Sequence, residues 1–510
     1  LWSDIRRYSK ARNEIFPVTS SRISFRKSKR HSTRRLRIDP RIDEQKRGDT
    51  SMPEKRQKET GMFRIYWMDN LRTAMIFLVV LLHAGLVYES SGIAAFFWIV
   101  DDPSTNDLSG VINIVLDIFV MPAIFLIAGF FAPLSLRRKG WLDFVKSKFK
   151  RLMLPWVIAV LTLIPIYKII FLYSRNLPQE SWTTYFHWSN GVWNQNWLWF
   201  LPVLFLFNLL YVFFSKLVKN EVSASTLKKS ILAAMFIGLG YSLFMDYFSL
   251  QGWTKTFLFD FQNERILVYF MVFLIGSLCY QSKIFESDPK SRKAYIITAC
   301  VAWVPVNFYL FLVIYSILFP GENIFSGIID KVLIYFSYYL SLLSLLYVVV
   351  KSFRFYLDNN GKLVKALNRN SYSVYIIHVV VMGIVATALL DMAIPSIAKH
   401  VILAISTYLI CNLIIDLARK SMMCFEKATT SSVNSKTGDD RGSDQNGNTQ
   451  ATEAVPQSAA SRYRRDGQRG SRSQRRNTLF GRDSAEAVNI FCNLPACFFQ
   501  EKVNKNMLQG

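Results

Sequence analysis

The apolar residues of this 510-residue chain are gathered into long blocks that alternate with polar connections. Each block has roughly twenty residues, which is the length that an α-helix needs to cross the hydrocarbon core of a bilayer. A backbone inside lipid must satisfy its own hydrogen bonds, so such blocks are expected to be helical. The sequence therefore predicts an all-α fold, a polytopic membrane helix bundle with about ten transmembrane helices, and excludes an ordinary soluble enzyme. The predicted spans are 69–88, 110–133, 152–173, 197–215, 230–249, 266–282, 294–317, 331–350, 372–390 and 400–418.

The connections between these blocks differ in their content of Lys and Arg. Alternate connections, beginning with residues 134–151, hold 20 basic residues, whereas the connections on the other side hold five. Basic residues accumulate in cytoplasmic connections because they resist translocation. The distribution predicts that the Lys/Arg-rich side, called the basic face below, is cytoplasmic, and that both termini are cytoplasmic.

The whole chain is strongly basic, with 61 Lys and Arg residues against 36 Asp and Glu residues, a net charge of +25. Basic segments beside hydrophobic spans favour contact with an anionic membrane surface over contact with nucleic acid. We therefore expect membrane lipids, and no nucleic acid, among the partners of the chain. The six cysteines form no CxxC pair or Cys/His cluster, so the sequence predicts neither a disulfide framework nor a bound metal.

Composition divides the chain into three regions. Residues 1–63 are polar and basic, residues 64–419 contain all of the apolar blocks, and residues 420–510 are again polar. Too little apolar surface is available in the two end regions to form a core, which predicts a disordered N-terminal segment and a largely disordered cytoplasmic tail. The chain begins with Leu1, and two methionines precede the first span, so an extended gene call is one interpretation of residues 1–63.

Motifs of soluble enzymes are absent from the sequence, which leaves the ionisable residues inside the spans as candidates for chemistry. A charged side chain at the bilayer centre costs about 2.5–3.5 kcal/mol on insertion scales, so such residues are expected to be functional. Three of them, Asp69, Arg72 and His83, lie in the first span. At 100° per residue, Arg72 and His83 are about 20° apart around the helix, and Asp69 is one turn before Arg72. The stripe predicts a polar cavity along this helix.

The types of residue in this stripe suggest a division of roles. Arg72, near the basic face, is suited to binding a phosphate through two hydrogen bonds. His83 lies about 16 Å deeper along the helix, where an imidazole is suited to removing a proton from a hydroxyl. The alternative is structural, with Arg72 reaching the lipid headgroups and His83 hydrogen-bonded to a neighbouring span.

Other ionisable residues in the spans are open to two interpretations. Asp117, in the second span, is expected either to pair with Arg72 or His83 or to make a structural polar contact. His378, about two turns into the ninth span, is either a core histidine with satisfied hydrogen bonds or part of a site. His400, near an outer connection, is expected to be incidental.

The residues Asp69-Asn70-Leu71-Arg72, with an R-x10-H spacing to His83, resemble the first helix of the integral-membrane acyltransferase-3 family. Further segments are similar to other motifs of that family and follow in the expected order. They are Phe125–Phe131 (FLIAGFF), Lys148–Pro155 (KFKRLMLP), Trp197–Leu201 (WLWFL) and Ser371–His378 (SYSVYIIH).

The chain also departs from the usual pattern of this family. Ala128 stands in the usual serine position, and Lys148 replaces the first arginine of the R-x-x-R motif, which keeps the charge but loses the bidentate fork. The residues after the fourth-helix motif lack the acidic residue that is frequent in the O-antigen acetylase branch. The sequence therefore looks closer to the branch that contains periplasmic-glucan succinyltransferases.

The resemblance implies a membrane-bound O-acyltransferase that is a multi-pass protein of the plasma (bacterial inner) membrane. Such an enzyme moves an acyl group, acetyl or succinyl, from a cytoplasmic acyl-CoA to a hydroxyl of an envelope or exported glycan. Acyl-CoA is then a co-substrate, and no bound cofactor is expected. The implied residues are His83 and Asp69 for catalysis, Arg72, Lys148 and Arg151 for the phosphates of acyl-CoA, and Asp117 and His378 as further candidates.

Two other functions are compatible with the same residues. A proton-coupled transporter of an anionic or acylated sugar would also have many spans with Arg, His and Asp inside the membrane. A membrane scaffold without activity would act through its basic ends. Covalent labelling of a glycan distinguishes the enzyme from both.

Overall fold

The structure, a computed structural model, describes most of the chain between residues 65 and 439. All of these residues belong to one compact unit, Arg64–Gly510. The predictions for residues 1–63 and for the tail beyond residue 439 concern parts outside the described residues. The described ranges are 65–90, 97–181, 195–217, 221–256, 258–287, 292–319, 321–358 and 361–439.

Within these ranges, ten helices are long and apolar enough to cross a membrane. This confirms the predicted fold class, and each predicted span overlaps one of the ten. The crossings are Tyr66–Tyr88, Asp107–Lys139, Trp141–Ser174, Asn196–Lys216, Ala224–Tyr247, Asn263–Gln281, Arg292–Leu318, Gly327–Tyr356, Lys362–Leu389 and Ser396–Cys424.

The third and seventh crossings each consist of two consecutive helices, and a short antiparallel hairpin precedes the sixth. The helices are α1 (Tyr66–Tyr88), α2 (Asp107–Lys139), α3 (Trp141–Lys148), α4 (Leu154–Ser174), α5 (Phe200–Leu217), α6 (Ala224–Tyr247), α7 (Asn263–Gln281), α8 (Ile284–Ser287), α9 (Arg292–Val301), α10 (Trp303–Leu318), α11 (Gly327–Tyr356), α12 (Lys362–Leu389) and α13 (Ser396–Asp439). A 3₁₀ turn, Asn196–Trp199, leads into α5, and the hairpin strands are β1 (Trp253–Lys255) and β2 (Asp260–Gln262).

Capping residues set both ends of α2. The Asn106 side chain accepts a hydrogen bond from the Ser109 amide at 2.8 Å and so caps the first turn. Gly140 ends the helix with φ 72°, a conformation that side chains disfavour, and its amide donates to Leu136 O. The helix therefore extends past the predicted span and carries three cations, Arg137 to Lys139, beyond it at the basic face.

The third crossing is interrupted between α3 and α4 by a π-helical segment, Phe149–Met153. Pro155 has no amide proton, so it cannot donate a helical hydrogen bond to the carbonyl of Arg151. The Tyr372 hydroxyl of α12 donates to that carbonyl instead, at 2.7 Å. The interruption is thus stabilised by a neighbouring span.

The last helix, α13, continues to Asp439, past the predicted end of the transmembrane region at residue 419. This polar stretch has too little apolar surface to pack into a core. It nevertheless includes Lys, Met, Glu and Ala, which are good helix formers. A polar composition therefore predicts that residues after 419 form no core, but it does not predict where the helix ends.

Glycines allow α2 and α7 to approach closely. A Cβ added to Gly129, in the FLIAGFF segment, would lie 1.9 Å from Phe273 O, and one added to Gly276 would lie 2.1 Å from Leu126 O. Between helices in lipid, such close approach supplies much of the packing energy. The glycine of this motif therefore has a structural role.

We expect Gly129→Ala to lower the apparent unfolding temperature of the purified protein by about 1–4 °C, because overpacking costs about 1–3 kcal/mol and a unit of this size unfolds with a large entropy. The matched control is Gly110→Ala in the same helix, where an added Cβ meets nothing within 4 Å. Thermal unfolding in detergent measures both, and equal unfolding temperatures for the two variants would contradict the packing role.

Candidate active site

Two histidines from different spans meet inside the bundle. His83 Nδ1 of α1 lies 2.8 Å from His378 Nε2 of α12. Their ring planes are nearly parallel, at 7°, with centroids 5.1 Å apart. His378 is fully buried, and His83 is partly accessible. The structure thus joins two residues that the sequence offered separately.

The hydrogen bonds of this pair fix which nitrogens carry protons. His378 Nδ1 lies 2.7 Å from the Tyr375 carbonyl oxygen, which can only accept, so this nitrogen carries the proton. In neutral His378, Nε2 is then an acceptor, and His83 Nδ1 must donate to it. The remaining nitrogen, His83 Nε2, keeps its lone pair. The arrangement presents one imidazole nitrogen as a base or nucleophile and supports it through a second imidazole.

A segment between α1 and α2 covers His83 on the side away from the basic face. The Trp98 ring lies 4.9 Å from the His83 ring, and Trp98 Nε1 donates to His83 O at 3.0 Å. The next residue, Ile99, fits against Gly383 of α12, where an added Cβ would be 2.4 Å from Ile99 Cδ1. The imidazole therefore lies against an apolar wall.

A buried ion pair anchors the same segment. Lys399 Nζ, in the first turn of α13, lies 3.0 Å from Asp102 Oδ2, and both side chains are almost fully buried. The ammonium also donates to Ser104 Oγ and Leu390 O. A buried pair with its hydrogen bonds satisfied holds a single geometry, so the covering segment is fixed at both Trp98 and Asp102.

A network of amides near the basic face sets the register between α1 and α12. Thr73 Oγ1 donates to Asn368 Oδ1 at 2.6 Å, and Asn368 Nδ2 donates to Asn70 Oδ1 at 2.7 Å. Thr73 and Asn368 are 295 positions apart, as are His83 and His378. The same parallel register therefore produces both contacts, and the amides position the histidines.

Asp69 and Arg72 form the predicted contact, with Arg72 NH2 3.5 Å from Asp69 Oδ1. The guanidinium also donates to Asn368 O at 3.2 Å. Asp69 lies about 21 Å before His83 along the helix axis, so its carboxylate orients Arg72 and does not reach the imidazole. Arg72 remains one-third exposed at the end of α1.

The other two predicted phosphate-binding residues lie in the interrupted third crossing, whose backbone contacts α12. Arg151, whose carbonyl accepts from Tyr372, is one turn along α12 from the contact between Arg72 and Asn368. Lys148 lies one turn before Arg151, with its ammonium 5.3 Å from the centre of the Phe144 ring. The Arg72 guanidinium and the backbone of Arg151 thus contact α12 one turn apart.

Asp117 does not pair with Arg72 or His83, and of its two predicted roles the structure shows the second, a structural polar contact. Its carboxylate binds Arg265 of α7, with Oδ2 2.7 Å from Arg265 NH2. Arg265 also donates to the Tyr338 hydroxyl at 3.0 Å and lies over the Tyr338 ring. Arg265 precedes the predicted sixth span, 266–282, by one residue, whereas α7 begins at Asn263 and includes it.

Several contributing residues were not predicted from sequence or were predicted otherwise. Asn368 and Trp98 carry no charge, and only the polarity of Asn368 at the start of an apolar block signals a role. His400 is not incidental, because its ring nitrogens bind Ser109 Oγ and Leu81 O and so connect three spans. Trp197 is buried in the bundle, where it donates to Ile376 O. Among the described residues, no group of three or more His, Cys, Asp or Glu is placed to bind a metal.

Comparison with protein families identifies the class of this chain. The model of the acyltransferase family Acyl_transf_3, described as an acyltransferase domain, matches residues 65–416. This range covers all but the end of the last span, so the chain belongs to the acyltransferase-3 family.

Individual relatives are more distant. The chain is 25% identical over 233 residues to glucans biosynthesis protein C of Escherichia coli strain SMS-3-5 and to the same protein of strain K12. Each match covers 42% of this chain and 58% of the relative, so it spans little more than half of the relatives' length. No solved structure matches the chain.

Loosening the register should disturb the histidine pair. We expect Asn368→Leu to lower the turnover rate of acyl transfer at least about tenfold, because a small misplacement of reacting groups is costly. The control is Asn208→Leu, the same change at a buried asparagine whose amide, among the described residues, donates to Leu204 O of its own helix. Initial rates at equal amounts of folded protein test this, and equal rates for both variants would refute the positioning role.

Proposed function

We propose that the chain is a membrane-bound O-acyltransferase that moves an acetyl or succinyl group from acyl-CoA to a hydroxyl of an envelope or exported glycan. The observation that carries this proposal is the His83–His378 pair inside the membrane, which leaves His83 Nε2 as a supported base. Membership of the acyltransferase-3 family supports the reaction class. The glucan biosynthesis named for the relatives supports a glycan acceptor.

In a direct transfer, His83 Nε2 takes the proton of the acceptor hydroxyl while the hydroxyl oxygen attacks the thioester carbonyl. A carbon–oxygen bond forms, the carbon–sulfur bond breaks, and His83 returns the proton to the departing thiolate. During this cycle the imidazolium is stabilised because its Nδ1 donates to His378 Nε2. His378 acts through His83 and is a positioning residue.

In a two-step transfer, His83 Nε2 attacks the thioester itself and forms an acyl-histidine as the thiolate leaves. The acceptor hydroxyl then displaces the histidine, and its proton neutralises the thiolate. Both routes require the same lone pair on Nε2, so the geometry supports each of them equally.

The donor binds from the basic face, which we propose is cytoplasmic. Arg72, held by Asp69, and the cations Lys148 and Arg151 of the third crossing neutralise the phosphates of acyl-CoA. The acyl thioester extends from there along α1 to His83, about 16 Å deeper. Asp117 is paired with Arg265 and has no part in this mechanism.

Replacement of the proposed base tests the function. We expect membranes with His83→Ala protein to transfer labelled acyl groups roughly 10²–10⁴-fold more slowly than wild type, because a positioned general base usually accelerates a reaction by that factor. The measurement follows radiolabel from acetyl-CoA or succinyl-CoA into extractable glycan and onto the protein. Label on wild-type protein indicates the two-step route, and full transfer by His83→Ala at normal protein level refutes the mechanism.

A second pair of variants tests the support from His378. We expect His378→Leu to lower turnover roughly 10²-fold, because His83 Nδ1 loses its acceptor, and His378→Gln to lower it less, because an amide oxygen can still accept. The Michaelis constant for acyl-CoA should stay unchanged in both variants. Equal losses of turnover in His378→Leu and His378→Gln would show that His378 contributes packing alone and does not support His83 through a hydrogen bond.

Transport is the alternative if no covalent product forms. The ion pair between Asp117 and Arg265 lies inside the spans, as in many carriers. Uptake of an anionic sugar into sealed vesicles, without any acylated product, would favour this function over acyl transfer.

A further inference from the structure

Three consecutive carbonyl groups of α1 each accept a hydrogen bond from a side chain outside that helix. They belong to Leu81, Leu82 and His83, and so lie at the turn that carries the proposed base. The donors, in the same order, are His400 Nε2 of α13 at 3.0 Å, Asn113 Nδ2 of α2 at 3.1 Å and Trp98 Nε1 of the covering segment at 3.0 Å. A helical carbonyl normally accepts from the amide four residues later, so these bonds are additional to those of the helix. We call the three donor side chains the α1 clamp.

Asn113 contacts both ends of one helical turn. Its Nδ2 donates to Leu82 O, and its Oδ1 accepts from Leu86 N at 3.2 Å. These two backbone groups are the usual acceptor and donor of a single helical hydrogen bond. The asparagine is only 7% exposed, so its amide lies between the two spans. Hydrogen bonds of this kind between membrane helices fix one helix against the other, here α1 against α2.

Gly85 provides the space for this amide. A Cβ added to Gly85 would lie 2.8 Å from Asn113 Cγ, closer than real Cβ atoms approach other groups. Glycine weakens a helix interior relative to alanine. The clamp therefore gives a physical reason for a glycine two residues after His83.

His400 holds the same turn from α13. Its Nε2 carries a proton because Leu81 O can only accept, and in the neutral imidazole Nδ1 then accepts from the Ser109 hydroxyl at 2.9 Å. His400 is fully buried. Its ring thus connects α13 and α2 to the backbone of α1 in a single tautomer.

The clamp restrains α1 at the level of the histidine pair. His83 Nδ1 lies 2.8 Å from His378 Nε2, and a shift of about 1 Å would break such a bond. The amide of Asn368 restrains α1 against α12, but it does so about 15 Å away, near the basic face. The clamp adds restraints from α2, α13 and the covering segment at the turn of the imidazole itself.

We propose that Asn113 and His400 are positioning residues for acyl transfer, an inference that rests on the proposed function. They act through the α1 backbone and determine where His83 Nε2 lies relative to the thioester and the acceptor hydroxyl. The donor phosphates bind about 16 Å away, at the basic face. Loss of the clamp should therefore lower turnover and leave donor binding unchanged.

Replacement of Asn113 tests this division. We expect Asn113→Leu to lower turnover per folded molecule at least about tenfold, with the Michaelis constant for acyl-CoA within about twofold of wild type. The control is Asn208→Leu, the same change at a buried asparagine of α5. Equal turnover in the two variants, or a loss of Asn113→Leu that appears only in the Michaelis constant, would overturn the positioning role.

The glycine offers a rescue experiment. Gly85→Ala should lower turnover at least about tenfold, because the new Cβ displaces the amide. The double variant Gly85→Ala/Asn113→Ala should be no slower than Asn113→Ala alone, since the second change removes the clashing group. Losses that multiply in the double variant would overturn the action of Gly85 and Asn113 through one contact.

Two variants of His400 separate hydrogen bonding from packing. His400→Leu should lower turnover at least about tenfold, whereas His400→Gln, whose amide can still donate to Leu81 O, should lower it less than about threefold. Equal losses would show that His400 contributes packing alone and would overturn its assignment.

Amide hydrogen exchange of the full chain in lipid nanodiscs tests the clamp without any acyl transfer. We expect Asn113→Leu to speed exchange in residues 82–88 at least about threefold and to leave residues 66–78 unchanged, because the clamp holds only the later turns of α1. Unchanged exchange in residues 82–88 would overturn the clamp. Faster exchange there, together with no acyl transfer by wild type, would refute the proposed function and leave the clamp standing.

Discussion

The parallel register between α1 and α12 is the constraint on which the candidate site depends. Two hydrogen bonds, Thr73–Asn368 near the basic face and His83–His378 deeper in the bundle, join residues with the same separation. Lipid is as apolar as leucine, so hydrophobic burial does little to choose which membrane helices pair. Polar contacts make that choice, and here buried amides at one end determine whether two imidazoles meet about 15 Å away.

The helix α12 also connects the motifs that appear scattered along the sequence. Tyr375 donates to Trp197 O and Trp197 Nε1 donates to Ile376 O, which binds the WLWFL segment to the turn before His378. Tyr372 completes the interrupted helix of the KFKRLMLP segment through Arg151 O. Because these contacts fix the turn of α12 before His378, the His378 ring keeps one orientation and one tautomer. A fixed acceptor of this kind is what His83 needs in order to act as a base.

Features that depend on nearby residues could be predicted from sequence, and features that depend on helix adjacency could not. The ten spans and the contact between Asp69 and Arg72 follow from block length and from helical spacing. No local pattern states that α12 lies beside α1, so Asn368 was missed. For Asp117 the sequence left a partner in α1 and a structural polar contact as alternatives, because it does not state which helices lie beside the second span. The partner of Asp117, Arg265, lies on a helix whose start was placed one residue too late to include it.

The anchoring of the segment at Trp98 limits how an acceptor reaches the imidazole. Trp98 covers His83 on the side away from the basic face, and the buried pair between Asp102 and Lys399 holds this cover in place. Displacing the cover would break a buried ion pair, which is costly. An acceptor hydroxyl is therefore expected to approach beside Trp98, between the spans. In the proposed reaction, Trp98 would shield the His83 imidazole from water on this side, which favours transfer to a positioned hydroxyl over hydrolysis.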